Sequence, residues 1–168
     1  MRSAHTSGNV TLRDATPADV PAVLGFIREL AEYEHLAHQV VATEADVQAA
    51  LFGPRACAEV VLACIDGIPV GFALYFHNFS TFLGKPGIYL EDLYVRPEAR
   101  GRGAGKQLLA WLARTALERG CARLDWAVLD WNEPSIGFYR GLGAVAQDAW
   151  TTYRVDGEAL RRLAASHD

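Results

Sequence analysis

The stretch Ile88–Lys106, IYLEDLYVRPEARGRGAGK, decides the fold. Its first half reads as a buried strand. Ile88, Leu90, Leu93 and Val95 are apolar, and Tyr89 and Tyr94 suit a pleated surface. Glu91 and Asp92 interrupt the run, and carboxylates in a central strand need partners or a task. Regular alternation sends these two to opposite faces. Arg96-Pro97 ends the strand, since proline cannot donate to a ladder. Arg100 to Gly105, RGRGAG, is a glycine-rich turn, and behind it Leu108, Leu109, Leu112 and Ala116 recur at helical spacing. A strand that feeds a glycine turn and opens a helix presents unpaired N–H groups and a positive dipole end, which together bind phosphates.

Two familiar phosphate-loop patterns fail here. A Walker loop needs glycine at Arg100 and a hydroxyl at Gln107. A dinucleotide fingerprint accepts Gly101 and Gly103 but meets Lys106 where its third glycine belongs. The pattern Arg/Gln-x-x-Gly-x-Gly/Ala fits in full on Arg100, Gly103 and Gly105. In this the stretch resembles the pyrophosphate loop of the GNAT acyl-CoA N-acyltransferases. The alternative is a plain glycine-rich turn, and the strand before and helix after weigh against it.

Nearer the N-terminus, Thr16-Pro17-Ala18-Asp19 has the hydroxyl cap, early proline and acid of a helix start. Val20, Val23, Leu24, Ile27, Leu30 and Ala31 carry that helix to about Glu34, after a short first strand at Val10 and Leu12. Thr43-Glu44-Ala45-Asp46 opens a shorter helix that stops at Gly53-Pro54. Strands follow at Glu59–Ile65 and Val70–Phe76, joined at the turn signal Asp66-Gly67. Phe79 to Gly87 is expected to be a loop. After the glycine turn the helix closes at Gly120, and Arg123–Leu129 forms a fifth strand. Asn132 caps a further helix to about Leu142, with strands expected at Val145–Ala146 and Trp150–Val155 and a last helix at Glu158–Ala165. Residues 1–8 are expected to be a disordered tail before a single domain over 9–168. The strand and helix order implies a mixed, mostly antiparallel α/β sheet covered by helices.

Composition bounds the function. The 168 residues are 51% hydrophobic and 21% charged, ordinary for a globular domain, and no apolar run approaches a membrane span. The N-terminal MRSAHTSGNV lacks a signal core, and the three cysteines, Cys57, Cys64 and Cys121, show no Cys-x-x-Cys spacing, so buried free thiols in a reducing cytoplasm are expected. A net charge of −4 argues against a nucleic-acid partner and agrees with a cationic small substrate. His35 and His38 share a turn without further ligands, so no metal site is expected.

Beyond the loop, RELAEYE (28–34), IYLEDLYV (88–95), RGRGAG (100–105), AVLDWNEPSIGFY (127–139) and the late Trp150 are similar to the diamine N-acetyltransferase family, polyamine and thialysine branches. The resemblance implies the GNAT fold with splayed fourth and fifth strands, acetyl-CoA as donor and a homodimer. Leu93, Tyr94 and Val95 are then expected along the pantetheine, and Arg100, Gly101, Arg102, Gly103, Ala104, Gly105 and Lys106 at the pyrophosphate. Asn132, Glu133, Pro134, Ser135 and Tyr139 are expected at the thiol end, although Asn132 also reads as a simple cap.

The implied reaction is attack of a neutral amine on a thioester, to give an N-acetylated small amine. An alkylammonium has a pKa of ~10.4, so its deprotonation at pH 7 costs about 4–5 kcal/mol and calls for a base. Glu91 is the candidate by resemblance, with an arginine-paired carboxylate as its alternative. Asp92 reads as structural unless a bulge re-aims it. Tyr139 matches the family's general acid, against an ordinary core tyrosine. Glu34, Ser80, Glu91, Asp92, Asp148 and Trp150 match positions around the acceptor, and serine at position 80 matches the thialysine branch. A peptide-acetylating enzyme and a non-catalytic acyl-CoA-binding module are the competing classes.

Overall fold

The computed structural model describes residues 9–166, so the tail expected over residues 1–8 lies outside the described residues. The chain divides after Leu129 into two compact units.

The first unit is built on one sheet with strands in the order β1 (Val10–Asp14), β2 (Glu59–Ile65), β3 (Ile68–Ser80), β4 (Lys85–Val95) and β5 (Leu124–Trp126). The first three junctions are antiparallel and β4–β5 is parallel, the mixed α/β sheet expected from the sequence. Helices α1 (Val20–Tyr33), α2 (Glu44–Phe52) and α3 (Ala104–Glu118) flank it.

The helix starts follow from local chemistry. Asp19 accepts both Arg13 guanidinium N–H groups at 2.7 and 2.8 Å, and the Thr16 N–H and hydroxyl at 2.8 and 3.0 Å. Arg13 thereby holds the Asp19 carboxyl well below the usual carboxylate range. Thr43 and Asp46 make a reciprocal capping box ahead of α2.

Two ring contacts assign the faces of the sheet. Phe26 of α1 stacks on Phe72 at 5.5 Å and tilts against Tyr94 at 6.3 Å. Trp111 of α3 meets Tyr75 edge-on at 5.9 Å. Phe72 and Tyr75 are three residues apart on one strand, so α1 and α3 cover opposite faces. Phe26, fully buried, is the wedge of the α1 side, and truncating it to alanine costs roughly 3–5 kcal/mol.

Two sequence expectations change in this unit. The loop over Phe79–Gly87 contracts to residues 81–84, because Phe79 pairs with Pro86 and Ser80 with Lys85. Pro86 is tolerated in the strand because it serves as acceptor, its carbonyl taking the Ala122 N–H at 2.9 Å. The fifth strand is Leu124–Trp126 rather than Arg123–Leu129, since β4 pairs with it only over Ile88–Leu90. Past Leu90 the two strands part, and residues 127–129 have no ladder to join.

The second unit carries α4 (Glu133–Gly141) and α5 (Gly157–Ala164). The strands expected at 145–146 and 150–155 are absent among the described residues. The backbone there closes local turns instead, with Ala144 N–H donating to the Tyr139 carbonyl and Trp150 N–H to that of Gln147, both at 3.2 Å. Strand-like composition by itself does not make a ladder.

Candidate active site

The site begins with a change of parity in β4. The Arg96 N–H donates to the Val70 carbonyl at 2.9 Å, so the backbone of residues 92, 94 and 96 faces β3. The Ile88 N–H donates to the Arg123 carbonyl at 3.1 Å, which turns residues 88 and 90 toward β5. Both hold only if one residue between Leu90 and Asp92 is extra. The register confirms it: Leu74 pairs with Asp92 and Tyr75 with Leu90, leaving Glu91 as a β-bulge.

The bulge re-aims the carboxylates. Leu90, opposite Tyr75, belongs to the α3 face, while Asp92, opposite Leu74, belongs to the α1 face with Tyr94. Glu91, the extra residue, has its charge close enough to Tyr89 and Asp92, both on the α1 face, to raise both groups. The expectation that Asp92 lies opposite to Glu91 is therefore corrected: both project on the side covered by α1. Glu34, the residue that closes α1, is the third member. Burial pushes the partly buried Asp92 up to about 6, and the negative charges of Glu91 and Glu34 add to the shift. Burial also raises the Glu34 carboxyl. Tyr89, which stacks on Phe76 at 5.2 Å, has its phenol raised by burial and by Glu91 and Asp125. The result is a carboxylate group flanked by aromatic rings, with one member that titrates near neutrality.

The same bulge frees the second edge of β4. With residues 92, 94 and 96 facing β3, the backbone groups of Leu93 and Val95 face the other edge, where β5 has already ended. Among the described residues no strand occupies that edge. Arg100 caps part of it, its Nε donating to the Val95 carbonyl at 2.9 Å. The Val95 N–H and both Leu93 groups still point outward, while Tyr94 is buried against Phe26 and contributes to the core.

The loop then turns through Gly101 and Gly103, at φ +77° and +80°, a left-handed conformation that side chains resist. Gly103 is the cap of α3, and the first helical bond runs from the Gln107 N–H to its carbonyl at 2.9 Å. The N–H groups of Gly103, Ala104, Gly105 and Lys106 therefore lack intrahelical acceptors and point out of the helix start. A Cβ built on Gly101 meets nothing within 4 Å, and one on Gly103 meets only Gln107 Nε2 at 3.9 Å, so the cradle is open. Arg102 and Lys106 are exposed beside it. These donors, cations and free space fit a pyrophosphate.

Ser80 is 7% exposed at the end of β3, and its hydroxyl accepts the Leu83 N–H at 3.3 Å, stitching the hairpin turn. In the second unit, Asn132 is buried and its side-chain oxygen accepts the Ser135 N–H at 3.4 Å, the cap expected from the sequence. Glu133 and Pro134 fill the first turn of α4 and are exposed. Tyr139 lies half-buried on α4, its ring 5.6 Å from that of Phe138. Asp148 and Trp150 are exposed in the segment after α4.

Two features escape sequence reasoning. Regular alternation makes Asp92 structural, although a signal for the bulge is present: apolar Leu90 and Leu93 stand an odd number of residues apart in a strand whose core positions otherwise alternate. Tyr33, whose ring lies 5.5 Å beneath the Arg100 guanidinium, carries no signal in its own neighbourhood.

Residues 26–144 match the model of the acetyltransferase (GNAT) family. The chain is 40% identical over 166 residues to a bovine thialysine N-epsilon-acetyltransferase, covering 92% of this chain and 97% of that protein. It is 30% identical to an L-ornithine N5-acetyltransferase of Arabidopsis thaliana, over 90% of this chain and 86% of the relative. Among solved structures, an integron cassette protein from the mobile metagenome of V. cholerae superposes with a TM-score of 0.79 at 30% identity, over 94% of this chain and 99% of that one. With the splayed strands, the glycine cradle and these matches in place, the chain belongs to the GNAT family of acetyltransferases, whose members take their acetyl group from acetyl-CoA.

Proposed function

We propose that this chain acetylates the primary amine of a small cation: a thialysine- or lysine-like amine, or a short diamine or polyamine. The observation that carries the reading is the bulge that sets Glu91 and Asp92 on one face with Glu34. Thialysine and ornithine, the substrates in the names of two relatives, are both amino acids with a second primary amine, which supports a short acceptor.

When bound, acetyl-CoA supplies a thioester activated toward amines. The loop N–H groups from Gly101 to Lys106 hold its pyrophosphate, and the free edge at Leu93 and Val95 takes its amide arm. Asp92, with a pKa of about 6, is mostly ionised at neutral pH and accepts the proton that the substrate ammonium loses. Glu91 shares that role, directly or through a water, and attracts the cation. Glu34, Asp148 and Trp150 receive the distal charge, the indole by cation–π attraction. The Tyr139 hydroxyl gives its proton to the departing thiolate, and Asn132 to Ser135 frame the thiol end. Both units serve as one acetyltransferase domain, and the enzyme works in the cytoplasm as a homodimer. Among the described residues no helix is long and apolar enough to cross a membrane.

A thiol-release assay across polyamines, thialysine, lysine, aminoglycosides and a peptide tests the reading. Turnover is expected with thialysine and short diamines. Turnover with the peptide alone replaces it with protein acetylation, and CoA binding without any turnover replaces it with a binding module. A sedimentation mass of one chain at full activity removes the homodimer.

A further inference from the structure

Arg100 opens the glycine loop, and the family resemblance places it at the pyrophosphate. Its observed contacts lead elsewhere. The Nε–H is committed to the Val95 carbonyl at 2.9 Å. The guanidinium carbon lies 5.5 Å from the centre of the Tyr33 ring and 5.8 Å from that of Tyr94. One side chain thus joins the end of β4, the start of the loop and the last residue of α1. The glycines that follow carry no side chains to pack against neighbours, and a Cβ at Gly101 would meet nothing within 4 Å. A glycine turn without side-chain contacts of its own takes its position from the residues that flank it.

We propose that Arg100 is a positioning residue: it pins the donor loop to the end of α1 through Tyr33 and the Val95 carbonyl, and does not itself neutralise the pyrophosphate. This rests on the donor-loop reading above. Two consequences separate it from direct phosphate contact. A phosphate ligand can be replaced in large part by lysine, which binds phosphate as a point charge. An anchor that uses a planar fork over ring faces cannot. And an anchor fails when its ring is removed, even though that ring stands on α1 rather than in the loop. Because Tyr33 precedes Glu34, the same pin holds the acceptor-side carboxylate in step with the donor loop.

The test is CoA affinity by calorimetry and the KM for acetyl-CoA in Arg100→Gln, Arg100→Lys, Tyr33→Leu and Tyr33→Phe, with melting temperatures to confirm folding. Tyr33→Leu is expected to weaken CoA three- to tenfold, and Tyr33→Phe, which keeps the ring face, to rescue it. Arg100→Lys is expected to be as weak as Arg100→Gln, and the Arg100→Gln/Tyr33→Leu double variant no weaker than Arg100→Gln alone. Wild-type affinity in Tyr33→Leu, restoration by Arg100→Lys, loss in Tyr33→Phe equal to that in Tyr33→Leu, or additive losses in the double variant each overturn the proposal. Those outcomes leave the donor loop in place. Its own failure is read separately, from undiminished CoA binding by Gly103→Asp.

Discussion

Replacing Asp92 with asparagine removes a charge that the fold holds at a cost. The carboxyl moves from an ordinary 3.8 to about 6, because burial and the charges of Glu91 and Glu34 oppose ionisation. A folded pKa above the unfolded one means that the native state binds more protons across that interval. The stability this confers is complete below about pH 4 and is lost as pH rises through about 6. A displacement of about two units corresponds to roughly 3 kcal/mol at neutral pH, and partial exposure lowers the expected value to about 2 kcal/mol. The asparagine side chain carries no charge at any pH. Unfolding free energies from denaturant titrations should therefore coincide for the two proteins near pH 4 and differ by about 2 kcal/mol in favour of Asp92→Asn at pH 8. Activity should move the other way, with kcat/KM down by about 10²–10⁴ as expected for a lost general base. The wild-type acid limb, expected near pH 6, should disappear, and Glu34→Gln should shift that limb to lower pH by removing one of the opposing charges. A stability difference independent of pH refutes the electrostatic argument, and wild-type kcat/KM in Asp92→Asn refutes its catalytic role.

The other predictions address single parts of the site. Tyr139→Phe is expected to lower kcat by about 10²–10⁴ while calorimetric CoA affinity holds, because only a proton donor is lost; unchanged turnover makes Tyr139 a packing residue. Gly103→Asp is expected to fold, since aspartate tolerates the left-handed conformation and caps helices, but to abolish CoA binding by filling the anion site with its own carboxylate; calorimetry decides it. Ser80→Asp keeps an acceptor for the Leu83 N–H and adds a charge beside the hairpin, so the kcat/KM ratio of spermine to thialysine is expected to rise; a wild-type preference for spermine defeats this argument.

Much of this architecture was legible along the chain because it depends on neighbours in sequence. The caps at Thr16 and Thr43, the proline and glycine punctuation and the helical spacing behind Gly105 each act within a few residues, so element type and order followed from local chemistry. The loop was legible for the same reason: positive φ is a demand on individual residues, and Gly101 and Gly103 meet it. Sheet pairing is not local. Only the register of β3 against β4 makes Glu91 a bulge, brings Asp92 to the α1 face and exposes the Leu93–Val95 edge. Only the ladder to Ser80 and Lys85 reduces the hairpin loop, and residues 150–155 form no strand although their composition favours one. The sequence by itself determined the family, the helices and the glycine turn that opens α3. The tertiary structure decided which carboxylate is lifted toward neutrality and where Arg100 lies, because burial, charge proximity and ring stacking act between residues that only the folded sheet and helices bring together.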